Sequence, residues 1–349
     1  MFMQQVGQFL PEWHPQQAVV LVWPHTHCDW ATDLPKIEPV YAQMVEAISQ
    51  EQEAWIVCYD TNLKTRITAQ LQHTSAQIDR VRYFIHPTND TWVRDYGPLS
   101  LRGQDAVELV RFNFNAWGGK YSSAHDRALS AALLASSWTK LYRTRAAPEV
   151  FEGGGLETDG AGTLLAVRGC VLDPRRNPGI NPVELERRLC AHLGLTRILW
   201  LDEVELEGDD TDGHIDNYAR FCAPDRIAYV QCTRTDDSHY TQLRALEETL
   251  RSFKRADGTA YQFIELPLPS PVRSPAGERL PASYANFLII NNAVLVPTFN
   301  VPEDSLALEQ LGKAFPERRL IPIDSRALVL QRGGIHCATM QIPTPALIC

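Results

Sequence analysis

Four short segments of the chain carry side chains that could act together on one substrate. Cys337 follows a glycine pair at 333–334, and the other segments contribute Asp95, Glu152 and the closely spaced His214 and Asp216. A thiol with a base beside it is suited to covalent catalysis. Several carboxylates around a thiol fit a cationic substrate, and a planar guanidinium is the cation that two carboxylates bind in a bidentate manner. The pattern therefore indicates chemistry on a guanidinium carbon.

Cys337 could also be a buried structural cysteine, which is the common state of free cysteines. Two features favour a functional role. The glycines before it permit positive φ angles or a close backbone approach, and the run 338–342 predicts a strand that would fix the thiol at its beginning. Cys349 lacks such a setting and is predicted to be a tail residue.

His214 and Asp216 flank Ile215. On an extended segment, this spacing directs both side chains to one face and Ile215 to the other. A solvated acidic loop and a metal site are the alternatives. The stretch 208–213 resembles half of a calcium-binding loop, but it lacks the terminal glutamate at the required offset, and a strand-like run follows His214 at once.

Glu152 precedes three glycines, which would let the backbone approach a ligand, although the segment could equally be a turn between strands. Glu157 is a rival acid on the same loop. Trp92 and Asp95 form an aromatic and carboxylate pair of a kind that binds cations. The alternative for this segment is a structural ion pair made by Arg94, with Trp92 packed in the core.

The loop 115–121 contains Trp117 and two glycines, and it is expected to lie at the rim of a site. It is not a phosphate-binding loop, because the pattern G-x-x-x-x-G-K-[ST] does not occur in the sequence. His25, His27 and Cys28 have no matching pair at zinc spacing. We therefore predict that the protein needs neither a metal nor an organic cofactor.

The composition limits the partners. The chain has 349 residues and a formal net charge of −9. It has no basic surplus to neutralise phosphates, so nucleic acid is not an expected partner. No apolar run approaches the ~18 residues of a membrane span. Eight cysteines without a C-x-x-C pair, and a start that does not resemble a secretory leader, predict a reduced cytoplasmic protein. The sequence is compatible with a homodimer but does not fix the oligomeric state.

Short apolar runs alternate with helical patterns along the whole chain, which predicts the α/β class. The predicted strands lie at 18–23, 54–59, 80–85, 107–113, 163–167, 169–172, 196–201, 218–221, 227–231, 261–266, 287–290, 294–297, 319–322 and 338–342. The predicted helices lie at 36–50, 61–72, 126–141, 182–193, 238–253 and 302–315. Strands 163–167 and 169–172 are expected to pair, and 267–281 is expected to be a long surface loop. The candidate residues fall beside Gly or Pro turns, which indicates one site assembled from several loops.

These motifs resemble a known family. The segments that carry the resemblance lie at 10–15, 92–98, 114–120, 152–154, 212–217, 282–287 and 335–337, in order over nearly the whole chain. They are similar to agmatine deiminases, within the bacterial peptidylarginine-deiminase-type branch of the guanidine-modifying superfamily. The resemblance implies the pentein fold, a five-bladed α/β propeller of ββαβ-type units around a central site, and a single domain over 1–349.

The expected reaction is hydrolysis of agmatine to N-carbamoylputrescine and ammonia, with a small cationic guanidine as the partner. Cys337 would attack the guanidinium carbon, while Asp95 and Asp216 hold its nitrogens. His214 would protonate the leaving ammonia and then activate water, and Glu152 would orient His214 or hold a further nitrogen. The remaining expected substrate contacts are made by Trp92 and Trp117.

Other functions stay open at this point. Peptidyl-arginine or free arginine deimination and amidino transfer are the nearest rivals, and a thiol protease or an inactive guanidine-binding protein would belong to other classes. The motif before Cys337 departs from the family at Arg332 and at Gly334, where an asparagine is usual. These departures bear on the part of the site that would contact the tail of the substrate.

Overall fold

The computed structural model describes residues 7–202 and 204–345, so Cys349 lies outside the described residues. The strands are β1 (Gln8–Phe9), β2 (Gln16–Val22), β3 (Glu53–Cys58), β4 (Val81–Ile85), β5 (Leu99–Arg102), β6 (Val107–Asn113), β7 (Arg143–Val150), β8 (Glu157–Thr158), β9 (Thr163–Val167), β10 (Arg197–Leu201), β11 (Ala219–Ala223), β12 (Arg226–Gln231), β13 (Gln262–Pro267), β14 (Leu288–Ile289), β15 (Ala293–Thr298), β16 (Arg319–Asp324) and β17 (Thr339–Pro343). The helices are α1 (Leu34–Glu51), α2 (Thr61–Leu71), α3 (Val93–Tyr96), α4 (Ala116–Gly119), α5 (Ala124–Leu134), α6 (Arg168–Val171), α7 (Pro182–Leu193), α8 (Tyr240–Ser252) and α9 (Glu303–Ala314). The predicted α/β class is confirmed.

Five small sheets repeat one arrangement. Their strand orders are β17-β2-β3-β4, β1-β5-β6-β7, β10-β9-β8, β11-β12-β13 and β14-β15-β16. In each sheet an antiparallel pair is followed by a parallel strand, and a helix makes the parallel crossover. This order has a physical reason, because parallel neighbours need a long connection whereas antiparallel neighbours do not.

The end of the described chain completes the first sheet. Strand β17 pairs antiparallel with β2, and Thr339 lies opposite Leu21. Strand β2 is buried along most of its length, which explains why it reads as a continuous apolar run. Buried apolar side chains form two clusters, and β9 contributes Leu164 to one and Leu165 to the other.

Local signals set the ends of two helices close to where the sequence predicts them. Helix α7 has Asn181 as its N-cap, accepting from the Glu184 amide, and it ends at Gly194 in the left-handed conformation. Helix α2 is capped by Asp60, whose carboxylate accepts from the Leu63 amide at 2.7 Å. The predictions 182–193 and 61–72 are therefore accurate to within one residue.

Three predicted elements were wrong. The stretch 169–172 is part of helix α6 rather than a strand, and β9 pairs with β8 and β10 instead. The helix predicted at 126–141 ends at Leu134, where the Thr139 hydroxyl donates to the carbonyls of Leu133 and Leu134. The segment that follows Trp92 is the short helix α3 rather than a loop.

Strands β1, β5, β7 and β8 were not predicted. Three of them have only two to four residues, too few for a periodic pattern. The long loop after β13 was predicted, and it contains a bridge between Arg273 and Arg279. Among the described residues, no helix combines the length and the apolar character that a membrane span requires.

Candidate active site

Five of the connections between sheets converge on one buried region. Asp95 lies between β4 and β5, Glu152 between β7 and β8, and His214 between β10 and β11, in the same connection as Asp216. Cys337 lies between β16 and β17. The structure thus brings together the four segments that the sequence singled out. The remaining connection, between β13 and β14, contributes a residue that the sequence analysis did not assign, Asn286.

Cys337 is buried with 6% exposure, one turn before β17. Its Sγ atom lies 3.2 Å from Asn286 Nδ2 and 3.6 Å from Asp216 Oδ2. The Asn286 Oδ1 atom accepts from the His336 amide at 2.9 Å, so Asn286 also holds the backbone beside the thiol. Burial, together with the carboxylates of Asp216 and Asp95, raises the pKa of Cys337 well above its ordinary value.

The glycine pair before Cys337 is required by close packing. A Cβ atom on Gly333 would lie 2.2 Å from the ring of Trp92, so the indole packs directly against the backbone. A Cβ atom on Gly334 would lie 2.3 Å from Asn286 Oδ1. The Asn286 side chain therefore occupies the space that a side chain at position 334 would need.

Asp216 is completely buried and lies in a 3-10 turn over Ile215–Asn217. The expected extended conformation of this segment is wrong, yet the turn still directs His214 and Asp216 into one site. Asp216 Oδ2 contacts His336 Nδ1 at 2.8 Å, while Oδ1 has no hydrogen-bond partner in the described parts of the chain. Burial opposes ionisation of Asp216, but His336 and then His214 outweigh it and lower the pKa of Asp216.

Asp95, on helix α3, is held by two donors. Trp117 Nε1 donates to Oδ2 at 2.9 Å, and the Gly154 amide donates to Oδ1 at 2.9 Å. Burial raises the pKa of Asp95 to about 6; His214 opposes this rise, while Glu152 and Asp216 add to it. Trp117 has a left-handed φ of 56°, which turns its indole towards this carboxylate.

His214 and Glu152 form a buried pair. His214 Nε2 lies 2.8 Å from Glu152 Oε2, which also accepts from Arg176 Nε at 2.8 Å. Burial opposes the charge on each group. Nevertheless, His214 and Arg176 lower the pKa of Glu152, and Asp95, Cys170 and Glu152 raise the pKa of His214 well above 6.5. His214 Nδ1 lies 3.5 Å from Asp95 Oδ1, on the side of the ring away from Glu152.

The rival acid and the neighbouring arginine have other partners. Glu157 accepts from Arg220 Nε at 2.6 Å and from the Phe221 amide, so it does not take the position of Glu152 beside His214. Arg94 is buried and donates to the His336 carbonyl at 3.2 Å. Its ion-pair partner is Glu12, with Arg94 Nη2 and Glu12 Oε2 3.5 Å apart.

A cavity reaches the site from the surface. Its inner wall contains Trp92, Asp95, Trp117 and Cys337. Its outer wall is formed by Asp29, Asp90, Tyr121, Asp210, Thr211, Gln331, Arg332 and Gly333. The outer wall therefore presents three aspartates and one arginine to any ligand that extends away from the thiol.

Donor atoms of Glu152, Cys170 and His214 lie within 4.8 Å of one another, and by type they could hold a soft divalent cation. The Arg176 guanidinium is hydrogen-bonded to Glu152 in the same place. A fixed positive charge there opposes the binding of a second cation. The cluster is better explained by hydrogen bonding that holds the histidine.

Several residues of this site were not assigned from the sequence. Asn286 lies in the segment 282–287, which carries the family resemblance but shows no chemical pattern of its own. Arg176 and His336 act on Glu152 and Asp216 through the fold, across connections that no local spacing reveals. Gly154 was recognised only as part of a flexible run, whereas its amide is a donor to Asp95.

The mixed α/β fold of five similar sheets, with a thiol where their connections meet, is that of the pentein superfamily. The chain belongs to the Porphyromonas-type peptidyl-arginine deiminase family, whose model matches residues 8–343. This membership confirms the branch that the sequence motifs indicate.

Named relatives match over their full length. A protein of Vibrio parahaemolyticus, provisionally named an agmatine deiminase, is 34% identical over 97% of this chain and 98% of its own. A structure from Porphyromonas gingivalis, provisionally described as an arginine deiminase, is 40% identical with a TM-score of 0.89, covering 97% of this chain and 99% of its own. A substrate-bound agmatine deiminase of C. jejuni is 30% identical with a TM-score of 0.91, covering 99% of both chains. These matches identify the chain as a hydrolase of C–N bonds.

Gly154 provides a direct test of the site geometry. A Cβ atom there would lie 2.6 Å from His214 Nδ1, 2.8 Å from Asp95 Oδ1 and 3.1 Å from Asp216 Oδ2. We expect Gly154→Ala to lower kcat/KM for a guanidine substrate by about 10²-fold or more, because displacements near 1 Å have effects of this size. Steady-state kinetics would measure it, with a melting curve to confirm that the variant is folded.

The adjacent Gly155 is the matched control. A Cβ atom on Gly155 would be no closer than 3.6 Å to His214 Cδ2, which is ordinary contact. We expect Gly155→Ala to stay within about threefold of the parent, as a substitution without a steric conflict should. Equal losses in the two variants would contradict the conclusion that the polar groups of the site pack directly against Gly154.

Proposed function

We propose that this protein is an agmatine deiminase, which hydrolyses agmatine to N-carbamoylputrescine and ammonia. The observation that carries the proposal is the position of Cys337 Sγ, 3.6 Å from a buried carboxylate, Asp216, whose other oxygen has no partner among the described residues. The site thus places a thiol beside carboxylate oxygens that receive no hydrogen bond from the described residues. A substrate group that carries only N–H donors fits such a site. The names of the Vibrio and C. jejuni relatives support agmatine as that substrate.

The proposed binding site holds the guanidinium group between carboxylates. Asp216 Oδ1 and Glu152 Oε1 are both buried and have no hydrogen-bond partner within residues 7–202 and 204–345. Asp95 lies beside them, with its charge only partly balanced by His214. A guanidinium has five N–H donors in one plane, so it can satisfy these acceptors together. Trp92 and Trp117 line the cavity beside Cys337 and would contact the alkyl stem.

The proposed reaction begins when the substrate neutralises the carboxylates. These groups raise the pKa of Cys337, so the bound cation removes the repulsion that disfavours the thiolate, and the thiol proton leaves to solvent. The thiolate then bonds to the guanidinium carbon as one C–N bond breaks. His214, which is protonated, gives its proton to the departing nitrogen, and ammonia leaves.

The second half of the reaction uses the same groups in reverse. Neutral His214 takes a proton from water while the water oxygen bonds to the carbon of the amidino-thioether. The hydroxyl proton then passes to the sulfur as the C–S bond breaks and the C=O bond forms, so the ureido product leaves with the thiol restored. Glu152 supports both steps by holding His214 Nε2 at 2.8 Å, which keeps Nδ1 directed towards Asp95 and the substrate. The scheme requires no cofactor.

The finer architecture is part of this proposal. We infer that the five sheets are the blades of an α/β propeller and that 1–349 is a single catalytic domain. The repeated strand order and the pairing of β17 with β2 support a closed ring of five units. A homodimer stays a prediction. A cytoplasmic location is supported by the free thiols of the described cysteines.

Cys337→Ser should abolish turnover while agmatine binding persists. A hydroxyl is a far weaker nucleophile than an ionised thiol near neutral pH, whereas the carboxylates that bind the cation are unchanged. Product formation and calorimetric binding of agmatine would be measured on the same preparation. Cys28→Ser, at a half-buried cysteine, is the control and should retain activity. A Cys337→Ser protein with substantial turnover would refute the assignment.

The activity should fall at acidic pH. The pKa of Asp95 is raised to about 6, so this group is charged above pH 6 and neutral below it. Because a neutral carboxyl loses its attraction for a guanidinium, we expect kcat/KM to decrease as the pH falls from 7 to 5. The comparison is Asp126→Asn, which removes another buried acid whose pKa is raised, to about 7. A parent profile that is flat over this range would contradict the role of Asp95.

Agmatine should be preferred to free arginine. The outer cavity wall contains Asp29, Asp90 and Asp210. Burial raises the pKa of Asp90 to about 7 and also raises that of Asp210, so the charge of this wall is largest above pH 7, where it attracts the ammonium of agmatine and repels the α-carboxylate of arginine. A like charge at 4 Å costs roughly 4 kcal/mol at an effective dielectric of about 20. We therefore expect kcat/KM to favour agmatine by about 10²-fold or more, with uncharged-tail butylguanidine between the two.

Arg332 carries the second candidate function, arginine deimination. It is exposed at the cavity wall, where it donates to the Gly208 carbonyl at 3.2 Å, and the Porphyromonas relative is provisionally described as an arginine deiminase. The measurement is kcat/KM for both substrates in the parent, in Arg332→Ala and in the surface control Arg187→Ala. Equal values in the parent, with arginine turnover lost only in Arg332→Ala, would favour the arginine reaction.

A further inference from the structure

His336, the residue before the nucleophile, bridges two buried carboxylates. Its Nδ1 atom lies 2.8 Å from Asp216 Oδ2, and its Nε2 atom lies 2.7 Å from Glu12 Oε2. The imidazole is 2% exposed. Glu12 comes from the loop between β1 and β2, at the opposite end of the sequence, so the bridge joins segments 324 positions apart.

The two carboxylates at this bridge both have a lowered pKa. Burial opposes the charge on Glu12, but Arg220, His336 and Arg94 outweigh it and hold the pKa of Glu12 far below its ordinary value. Burial also opposes the charge on Asp216, but His336 and His214 lower its pKa. Each ring nitrogen of His336 therefore faces a carboxylate, one on each side of the ring.

Glu12 is itself fixed on its other sides. Its Oε1 atom accepts from the Ile289 amide at 2.7 Å, and its Oε2 atom lies 2.9 Å from Arg220 Nη2. Arg220 is completely buried and also pairs with Glu157. The carboxylate that contacts His336 Nε2 is thus held by the Ile289 amide and by Arg220, so the ring has little freedom to turn away from Asp216.

This contact has two consequences for the reacting groups. Because His336 occupies Oδ2 of Asp216, the carboxylate is locked in one rotamer, and Oδ1 is left as the oxygen without a partner in the described chain. The same Oδ2 atom lies 3.6 Å from Cys337 Sγ, so His336 contacts the carboxylate oxygen that lies beside the sulfur.

We propose that His336, held by Glu12, is a positioning residue that orients Asp216 towards the substrate guanidinium. This inference rests on the proposed function, in which Asp216 binds the guanidinium. A purely structural histidine would contribute to stability alone. The proposed role instead predicts that the two nitrogens of the ring have unequal importance for catalysis.

Two substitutions separate the two nitrogens. His336→Asn retains a donor near the position of Nδ1, within reach of Asp216, whereas His336→Gln retains a donor near Nε2, within reach of Glu12. We expect His336→Gln to lose about 10²-fold or more in kcat/KM for agmatine, because Asp216 is no longer held in place. His336→Asn should lose about tenfold less than His336→Gln. Equal losses in the two variants, at equal melting temperature, would overturn the proposal.

The pH profile tests the effect of His336 on Asp216. Both variants remove the ring that lowers the pKa of Asp216, so Asp216 should protonate more readily. The acidic fall in kcat/KM should then begin at higher pH and become steeper, as Asp216 protonates together with Asp95. The matched control is His239→Gln, at another buried histidine, which is paired with Asp237 at 2.9 Å outside the site. Its acid limb should match the parent. An unmoved limb in both His336 variants would overturn this effect of His336.

Glu12→Gln keeps the test decisive if the His336 variants do not fold. The amide preserves the shape and the contact with the Ile289 amide, but it removes the negative charge that His336 Nε2 contacts. We expect activity within about tenfold of the parent and an acid limb moved to higher pH; an unchanged limb would count against the proposal. A parent that turns over neither agmatine nor arginine defeats the proposed function, whereas an active parent with equivalent His336 variants defeats this inference alone.

Discussion

Mutual repulsion among buried carboxylates is the constraint on which the rest of this site depends. Asp95, Glu152 and Asp216 lie close enough together for each to influence the ionisation of another. Glu152 and Asp216 escape this conflict because each is bound to a histidine, and Glu152 also to Arg176. Asp95 receives only neutral hydrogen bonds and a more distant histidine, so its pKa alone among the three is raised. Asp95 therefore lacks a close cationic partner of its own, and a cationic substrate can supply one.

The scaffold delivers these groups through its connections rather than its strands. Five of the connections between sheets each contribute at least one residue to the site. Glycines in these connections allow neighbouring segments to approach one another closely. Gly154 allows three polar atoms to meet over the backbone, while Gly333 and Gly334 let Trp92 and Asn286 pack against the chain that carries Cys337. Small residues thus define the dimensions of the site, and charged residues define its chemistry.

The sequence located the candidate groups more readily than the contacts that hold them. Cys337, His214 and the acids could be found because their residue types are informative beside glycines. The choice between Glu152 and Glu157 could not be made from spacing, since it depends on Arg176 and Arg220, which come from other elements. The extended conformation expected for 214–216 was wrong. A 3-10 turn also directs His214 and Asp216 to one site, so the spacing alone could not distinguish the two conformations.

Element type was predictable where pattern and capping agreed, as for α7, and it failed where a short apolar run stood alone, as for α6. The short strands β1 and β8 exist only because a longer neighbour offers a free edge. Such pairing is a property of the assembled sheet, and no window of sequence contains it. The same holds for His336, whose importance follows from a glutamate at the far end of the chain.

The pairing of β17 with β2 also has a consequence for how the protein reaches its working form. The strand that carries the nucleophile into place is the last described strand, and its partner is among the first. Joining two segments so distant in sequence demands a large loss of chain entropy, which makes this contact a late step in folding. The thiol therefore meets its carboxylates only after the two distant ends of the described chain have paired. A partly folded chain would contain all of the candidate groups and yet leave them apart.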